Sequence, residues 1–595
     1  MNPFHQTLLS ALLAGVLLSI PLPGRAADLL AGQSFALMRP AEGDAVLATV
    51  SAEGKPGGAE TALRFTINKP TTPPWMILAG TTVPADVPEG RRLQLHFWGR
   101  SPTGNQVRAV VEKNGPPYNG VVEIVPTLTK EWKEYTATGT SPSFGPNGIG
   151  VKFQAGYAAG TVELAGIRLD DLGPDPAIEA ATAAITPAAI EARIQKYRVG
   201  DLTVIVRDGG GKLVRNAAVT LHQTSSAFLF GSNFFNLDPA NTADWQKDYQ
   251  TRYTALLNFA TLPFYWGSFE REQGKPQYDR LDAMAKWCLA HGVTPKGHPL
   301  VWHEVYPAWA PKDPDAAIPV LHQRVTDIVT HYRDTIHIWD IVNEANNAAA
   351  AAETGEGAWV KRDGPAAVVS TSLGWARQAS GATKNTFIYN DFNTGDQNVA
   401  LLKELQKKNS LPDAVGIQSH MHGGTWSMAQ VWRTTERFSQ FGKPVFYTEV
   451  TVLSGPRRTD DTMKNPPSDW LTTPEGEKAQ ANYVVQFYTL LFSHPAVRGI
   501  TWWDFSDRGA WQNAPAGLVR KDMTPKPAYD RLMDLIHKQW STDATGTSSA
   551  AGLFHSRAFY GDYQVTATDG AGRTATRTVH FPMDSKTMTV EMVVK

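Results

Sequence analysis

Cysteine is almost missing from this chain of 595 residues: Cys288 is the only one. No intrachain disulfide can form, so packed cores must hold the fold. Excess charge is missing as well. Lys and Arg total 56 against 57 Asp and Glu, a net charge of -1. That removes the basic footprint of a nucleic-acid binder. Past the first thirty residues no apolar run is long enough to span a bilayer. No glycine fingerprint for a dinucleotide follows a strand-like run, and no Gly-x-Ser-x-Gly elbow is visible. "HMH" at His420 to His422 and "WHE" at Trp302 to Glu304 both lack the i, i+4 helical spacing of a zinc site. No metal or cofactor is called for.

What is present reads as globular. Hydrophobic residues make up 42% and charged residues 19%, and a chain of this length divides into roughly two to four domains. Eighteen Trp and 17 Tyr are many; such rings stack on sugar faces, and they also fill cores. The opening "MNPFHQTLLSALLAGVLLSIPLPGRAADLL" reads as a signal peptide over 1–27, with an apolar run from Leu8 to Ile20 and small residues at the cleavage site. Its n-region has no Lys or Arg, so an uncleaved anchor is the alternative. The expectation is a secreted or periplasmic monomer, off the membrane once the leader is cleaved.

Residues 28–172 alternate apolar and polar positions in short runs such as "RRLQLHFWGR" and "GIGVKFQAG". Short strands with turn signals between them predict an all-β jelly-roll-like sandwich. Trp75, Trp98, Tyr118, Trp132, Tyr135 and Tyr157 include candidates for a sugar-stacking platform. The pattern resembles the carbohydrate-binding modules that precede secreted polysaccharide hydrolases. An Ala- and Pro-rich stretch at 173–198 reads as a linker with a short helix. "DLTVIVRDGGGKLVRNAAVTLHQ", within 199–226, reads as a β-hairpin. A hairpin alone is unstable. The alternating strands of 541–595 are therefore expected to join it in a small β domain drawn from both flanks of the central region.

That central region, 227–540, holds eight apolar runs separated by helical periods: "AFLFGSNFF", "LNFATLPFY", "VTPKGHPLVWH", "IHIWDIVNEA", "TFIYNDFN", "AVGIQSHMH", "PVFYTEVTV" and "RGITWWDFSD". Eight alternations predict an α/β fold, a (β/α)8 TIM barrel; a doubly wound sheet is the runner-up. In a barrel the C-terminal strand ends carry the site. Those ends supply His298, Trp302 and His303; Asn343 and Glu344; Asn390 and Asp391; Gln418, His420 and His422; Glu449; Trp503 and Asp507. The two glutamates fall on the fourth and seventh runs, which face each other across the mouth. Paired carboxyls there suit retaining glycoside hydrolysis, one protonating the leaving oxygen and the other attacking the anomeric carbon.

"GHPLVWH", "WDIVNEA", "GIQSH", "YTEV" and "ITWWDFSD…W", in this order, resemble the motifs of the family 10 glycoside hydrolases, chiefly endo-β-1,4-xylanases. The resemblance implies Glu344 as acid/base and Glu449 as nucleophile. It further implies Asn343 at the sugar's 2-hydroxyl, Gln418 and His420 holding the carboxylates, and His298, Trp302, Trp503 and Trp511 lining the subsite. A polysaccharide or oligosaccharide is the implied substrate. One motif departs: where the family's second strand ends in a Glu-Asn…Lys cluster, Pro263, Phe264 and Gly267 stand here. Phe264, Tyr265 and Trp266 then suggest stacking or a wall, unless Glu270 or Glu272 replaces the lost cluster. The alternatives are a hydrolase of another β-glycan or β-glycoside, and a weakly active carbohydrate-binding protein.

Overall fold

The computed structural model describes residues 27–39, 44–115, 118, 120–458 and 462–595. Nearly all of the expected signal peptide lies outside these residues. The described part forms two compact units that divide at Ala180 and Ala181.

The first unit is a sandwich of antiparallel sheets. One runs Ala45–Ser51, Thr61–Ile67, Gly160–Pro174, Arg91–Arg100, Lys133–Ser141, with Ala27–Asp28 added beside Gly160–Pro174; the other runs Ala36–Arg39, Leu78–Thr82, Ile149–Gln154, Arg108–Lys113, Gly120–Ile124. The period-two pattern explains it: Leu93, Leu95 and Phe97 are fully buried, and Phe97 meets Phe153 of the facing sheet edge-to-face at 5.3 Å. Of the candidate platform rings, Tyr135 belongs to this core while Trp75 and Tyr118 are exposed.

In the second unit eight parallel strands close a barrel: β1 (Leu229–Asn233), β2 (Phe259–Pro263), β3 (Thr294–His298), β4 (Ile338–Asn343), β5 (Thr386–Asp391), β6 (Ala414–Ile417), β7 (Val445–Val450) and β8 (Val497–Trp502), with β8 back against β1. The eight strands coincide with the eight apolar runs. Gly297 of β3 is required by packing, because a Cβ there would meet the Trp339 ring of β4 at 2.1 Å.

The small β domain has seven strands from the two flanks of the barrel. Leu553–Phe559, Val199–Asp208 and Thr587–Val594 make one sheet; Asp543–Thr547, Ala218–Ser226, Gly561–Thr568 and Thr574–Phe581 make the other. The expected hairpin is corrected here. Val199–Asp208 and Ala218–Ser226 enter different sheets, and only Arg207 and Leu213 form a bridge near the turn. Each strand has one apolar face, and both faces look into one core, where Leu202, Val204, Val206, Val219 and Leu221 are buried. Pairing side by side would have left that core open.

The expected linker is corrected too. It holds two helices, and the second, Pro187–Tyr197, packs on the barrel: Ile194 is buried and Arg193 lies 4.4 Å over the Trp432 ring. Arg198 follows, buried, donating to the carbonyls of Phe492, His494 and Val497 at 2.5–2.9 Å.

Candidate active site

A cleft of about 770 Å3 opens at the C-terminal ends of the barrel strands. Glu344, Glu449, His298, Trp302, Asn343, Gln418, His420, Trp503 and Trp511 all line it. β4 runs apolar through Ile341 and Val342 and delivers Asn343 at its last position. The next residue, Glu344, takes the left-handed conformation (φ 58°, ψ 37°). A non-glycine residue adopts that only when its surroundings enforce it, and here the turn aims the carboxyl into the cleft. Ser419, beside Gln418, has φ 58° as well.

A chain of amides joins the two carboxyls. Gln418 Nε2 donates to Glu344 Oε1 (2.7 Å) and to Asn343 Oδ1 (3.2 Å). Asn390 Nδ2 reaches both Asn343 Oδ1 (2.8 Å) and Glu449 Oε1 (2.6 Å). Thr448 fixes the Asn390 amide by donating to its Oδ1 (2.5 Å). His420 Nε2 lies 3.0 Å from Glu449 Oε2, and its Nδ1 lies 2.8 Å from Thr451 Oγ1.

Beneath this network β3 and β4 bury a charge cluster. Lys296 Nζ and His298 Nδ1 each stand 2.7 Å from Asp340 Oδ2, and Lys296 and Asp340 are wholly buried. The carboxylate fixes the His298 tautomer with its proton on Nδ1, so Nε2 is left for the cleft.

The environment splits the two glutamates. Burial pushes Glu344 up to about 8, with the charge of Glu449 adding to it and the Gln418 hydrogen bond opposing. Burial acts the same way on Glu449, but the His420 hydrogen bond and the charges of His298, His420 and Lys296 outweigh it and hold the group below its usual range. One carboxyl keeps its proton at neutral pH while the other gives it up.

Other expected residues do different work. Asp507 is a structural partner, bonded to buried Lys526 (2.7 Å) and to Gly517 N (2.8 Å). Asp391 is held by Tyr389 and Asn346. His422 packs against Trp511 and Trp470. Phe264 and Trp266 are not the cleft wall: Phe264 is buried against Phe269, Tyr332 and Trp339, and Trp266 against Tyr306 and Trp309. Tyr265 alone of the three reaches the cleft, packed on His298 and Trp302. Glu270 is occupied in its loop by Trp266 Nε1 and Gly274 N, and Glu272 pairs with Lys275. Neither takes the place of the missing cluster. At Gly267 a side chain is excluded, since a Cβ would lie 2.6 Å from the Val305 carbonyl oxygen.

Asn233, Phe235, Val305, Phe392, Trp426 and Asp504 line the cleft without having been singled out from the sequence. Asp504 directly follows Trp503 in "WWDFSD", so reading one more residue beyond β8 would have found it. Among the described residues Trp302 Nε1, His303 Nδ1 and Asp504 Oδ2, all buried there, have no hydrogen-bond partner, as suits groups that meet a hydroxyl-rich ligand. His303, Glu304 and Glu344 bring donor atoms within 4.8 Å of one another.

Residues 243–535 match glycosyl hydrolase family 10. Anti-sigma-I factor RsgI6 of Acetivibrio thermocellus is 26% identical over 63% of this chain, which spans 46% of that protein. Endo-1,4-beta-xylanase B of Thermotoga neapolitana is 24% identical over 52% of this chain and 88% of its own length. Among solved structures, xylanase 10B of Thermotoga petrophila with xylobiose is 22% identical, covering 53% of this chain and 95% of that one at a TM-score of 0.45. The eight-stranded barrel of this chain, with Glu344 and Glu449 at its mouth, belongs to glycosyl hydrolase family 10.

Proposed function

We propose that this protein is a secreted, retaining glycoside hydrolase. It cleaves a β-linked plant or microbial polysaccharide, xylan or a related β-glycan, with Glu344 as acid/base and Glu449 as nucleophile. The observation that carries this reading is the pair of carboxyls, Glu344 and Glu449, facing one cleft and joined through Gln418, Asn343 and Asn390; burial raising Glu344 and the His420 hydrogen bond lowering Glu449 agree with it. In the first step Glu344 gives its proton to the glycosidic oxygen while the Glu449 carboxylate attacks the anomeric carbon. The C–O bond breaks and a glycosyl-enzyme forms. In the second, Glu344, now a carboxylate, takes a proton from water, which attacks the same carbon and releases Glu449. Asn343, tied to both partners, meets the 2-hydroxyl, and Trp302, Trp503 and Trp511 give the sugar apolar faces. The endo-1,4-beta-xylanase similar to this chain supports the substrate class.

Substrate choice departs from plain xylan. Pro263, Phe264 and Gly267 offer no side-chain hydrogen bond, and a site without its hydroxyl partners loses orders of magnitude in discrimination. A decorated xylan, another β-glycan or a β-glycoside with an apolar aglycone fits better. The first unit then serves as a carbohydrate-binding module, and the whole acts as a monomer.

The test is a panel of plant and microbial β-glycans with product analysis and proton NMR of the first anomer. Retention is expected, as is loss of turnover in Glu449→Ala and azide rescue of Glu344→Ala. An inverted first product, or an active Glu449→Ala, defeats the assignment. On unsubstituted xylo-oligosaccharides kcat/KM should stay below about 10⁵ M⁻¹s⁻¹. The second reading is a carbohydrate-binding protein of weak activity; binding without turnover across the panel selects it.

A further inference from the structure

Beyond the end of β2 the barrel holds a second cavity, of about 440 Å3. Pro263, Phe269, Arg271, Gln277 and Arg280 line it, together with Phe235 and Tyr265, which it shares with the cleft. Those two rings meet edge-to-face at 5.5 Å and form the wall where the two spaces adjoin. The volume lies within the roughly 300–1,000 Å3 of small-molecule sites.

Two cations face this space with no matching anion. Arg280, in the first turn of the helix Tyr278–Ala290, donates from Nη2 to the Phe235 carbonyl oxygen (2.9 Å). Among the described residues neither Arg280 nor Arg271 has a carboxylate at ion-pair distance. Burial lowers Arg280, and Asp238 opposes that only through its field; its Oδ1 accepts from Ala240 N instead. Both guanidiniums are exposed to the space, and the planar fork of each can bind an oxyanion through two hydrogen bonds. The rings of Phe235, Tyr265 and Phe269 add the apolar faces that a pyranose packs against.

We propose that this cavity receives an acidic side group of the glycan, a sugar bearing a carboxylate or a sulfate ester. Its oxyanion pairs with Arg280 and Arg271 while the main chain lies in the cleft on the other side of Tyr265 and Phe235. The proposal rests on the hydrolase reading and specifies the decoration on its substrate.

The test compares a β-1,4-linked xylo-oligosaccharide carrying a uronosyl side group with the same compound reduced at its carboxyl group, and with a sulfated analogue. The full chain should prefer an acidic form over the reduced one in kcat/KM by at least about tenfold, the scale of one charge-assisted hydrogen bond. Whichever acidic form leads names the oxyanion. The preference should shrink with added salt. It should narrow in Arg280→Gln and in Arg271→Gln, survive in part in Arg280→Lys, and vanish in the double Gln variant. Equal treatment of the acidic and reduced compounds by the unaltered protein, or a preference that persists in the double variant, overturns the proposal. Titration calorimetry with the same compounds reads the same ratio as an affinity, even if nothing is turned over. Failure of the hydrolase reading and failure of this one are thus separate results.

Discussion

At the scale of the residue, the two carboxyls share one amide network and titrate apart. For Glu344 to act as an acid it must hold its proton, so kcat/KM should fall as pH rises through about 8. For Glu449 to attack it must be ionised, so activity should persist below the usual carboxylate value of 4.5. His420 supplies the largest of the effects that lower Glu449. His420→Ala should therefore move the acid limb upward while leaving the alkaline limb near 8; an unmoved acid limb counts against that role. Stability carries the same signature. The folded-state value of Glu344 lies above the unfolded 4.5, so its contribution is full below 4.5 and is lost as pH rises toward about 8. Glu344→Gln does not titrate. Its stability relative to the parent should grow with pH through that window, by up to about 1.4 kcal/mol per unit, as thermal melts at several pH values would show. Some of the site was legible residue by residue because reactive groups stand beside apolar strand ends. Lys296 and Asp340 were not legible, because each looks like an ordinary strand residue until β3 and β4 are placed side by side. The same holds for Arg280, whose helix gives no sign that it borders a cavity.

At the scale of the element, sequence patterning carried the barrel. Its eight strands are buried on both sides and read as apolar runs, which periodicity exposes well. Pairing is harder to read. Val199–Asp208 and Ala218–Ser226 carry the alternation and the glycine turn of a hairpin, yet they part into two sheets because their partners lie beyond the barrel. Local pattern gives a strand its inward face but not its neighbour. Deleting 541–595 removes five of the seven strands and exposes Leu202, Val204, Val206, Val219 and Leu221. Calorimetry of the shortened chain should show a lower Tm; an unchanged melt would mean that the two remaining strands need no partners. Within the barrel, Gly297→Ala forces a methyl onto the Trp339 ring. About 1–3 kcal/mol of destabilisation is expected for such overpacking, measurable by urea unfolding.

At the scale of the whole molecule, each unit has a core of its own. A chain begun at Ala181 keeps Arg193 and Arg198 with their partners in the barrel. It should fold, and should hydrolyse small soluble glycosides at the parent rate while losing activity on insoluble polysaccharide. Equal activity on the insoluble substrate would argue against a carbohydrate-binding role for the first unit. A chain begun at Val199 gives up the Arg198 anchor and should melt lower. The small β domain has a further consequence, in the order of biosynthesis. Val199–Asp208 lies parallel to Thr587–Val594, and the ion pair between Arg207 and Glu591 joins positions 384 apart. At about 5–20 residues per second, a ribosome takes on the order of tens of seconds to make the second strand after the first. The barrel can therefore close before its flanking sheets are complete, and until then the early strands wait with their apolar faces bare. Chaperone demand in this protein should accordingly concentrate on a segment made early and packed last.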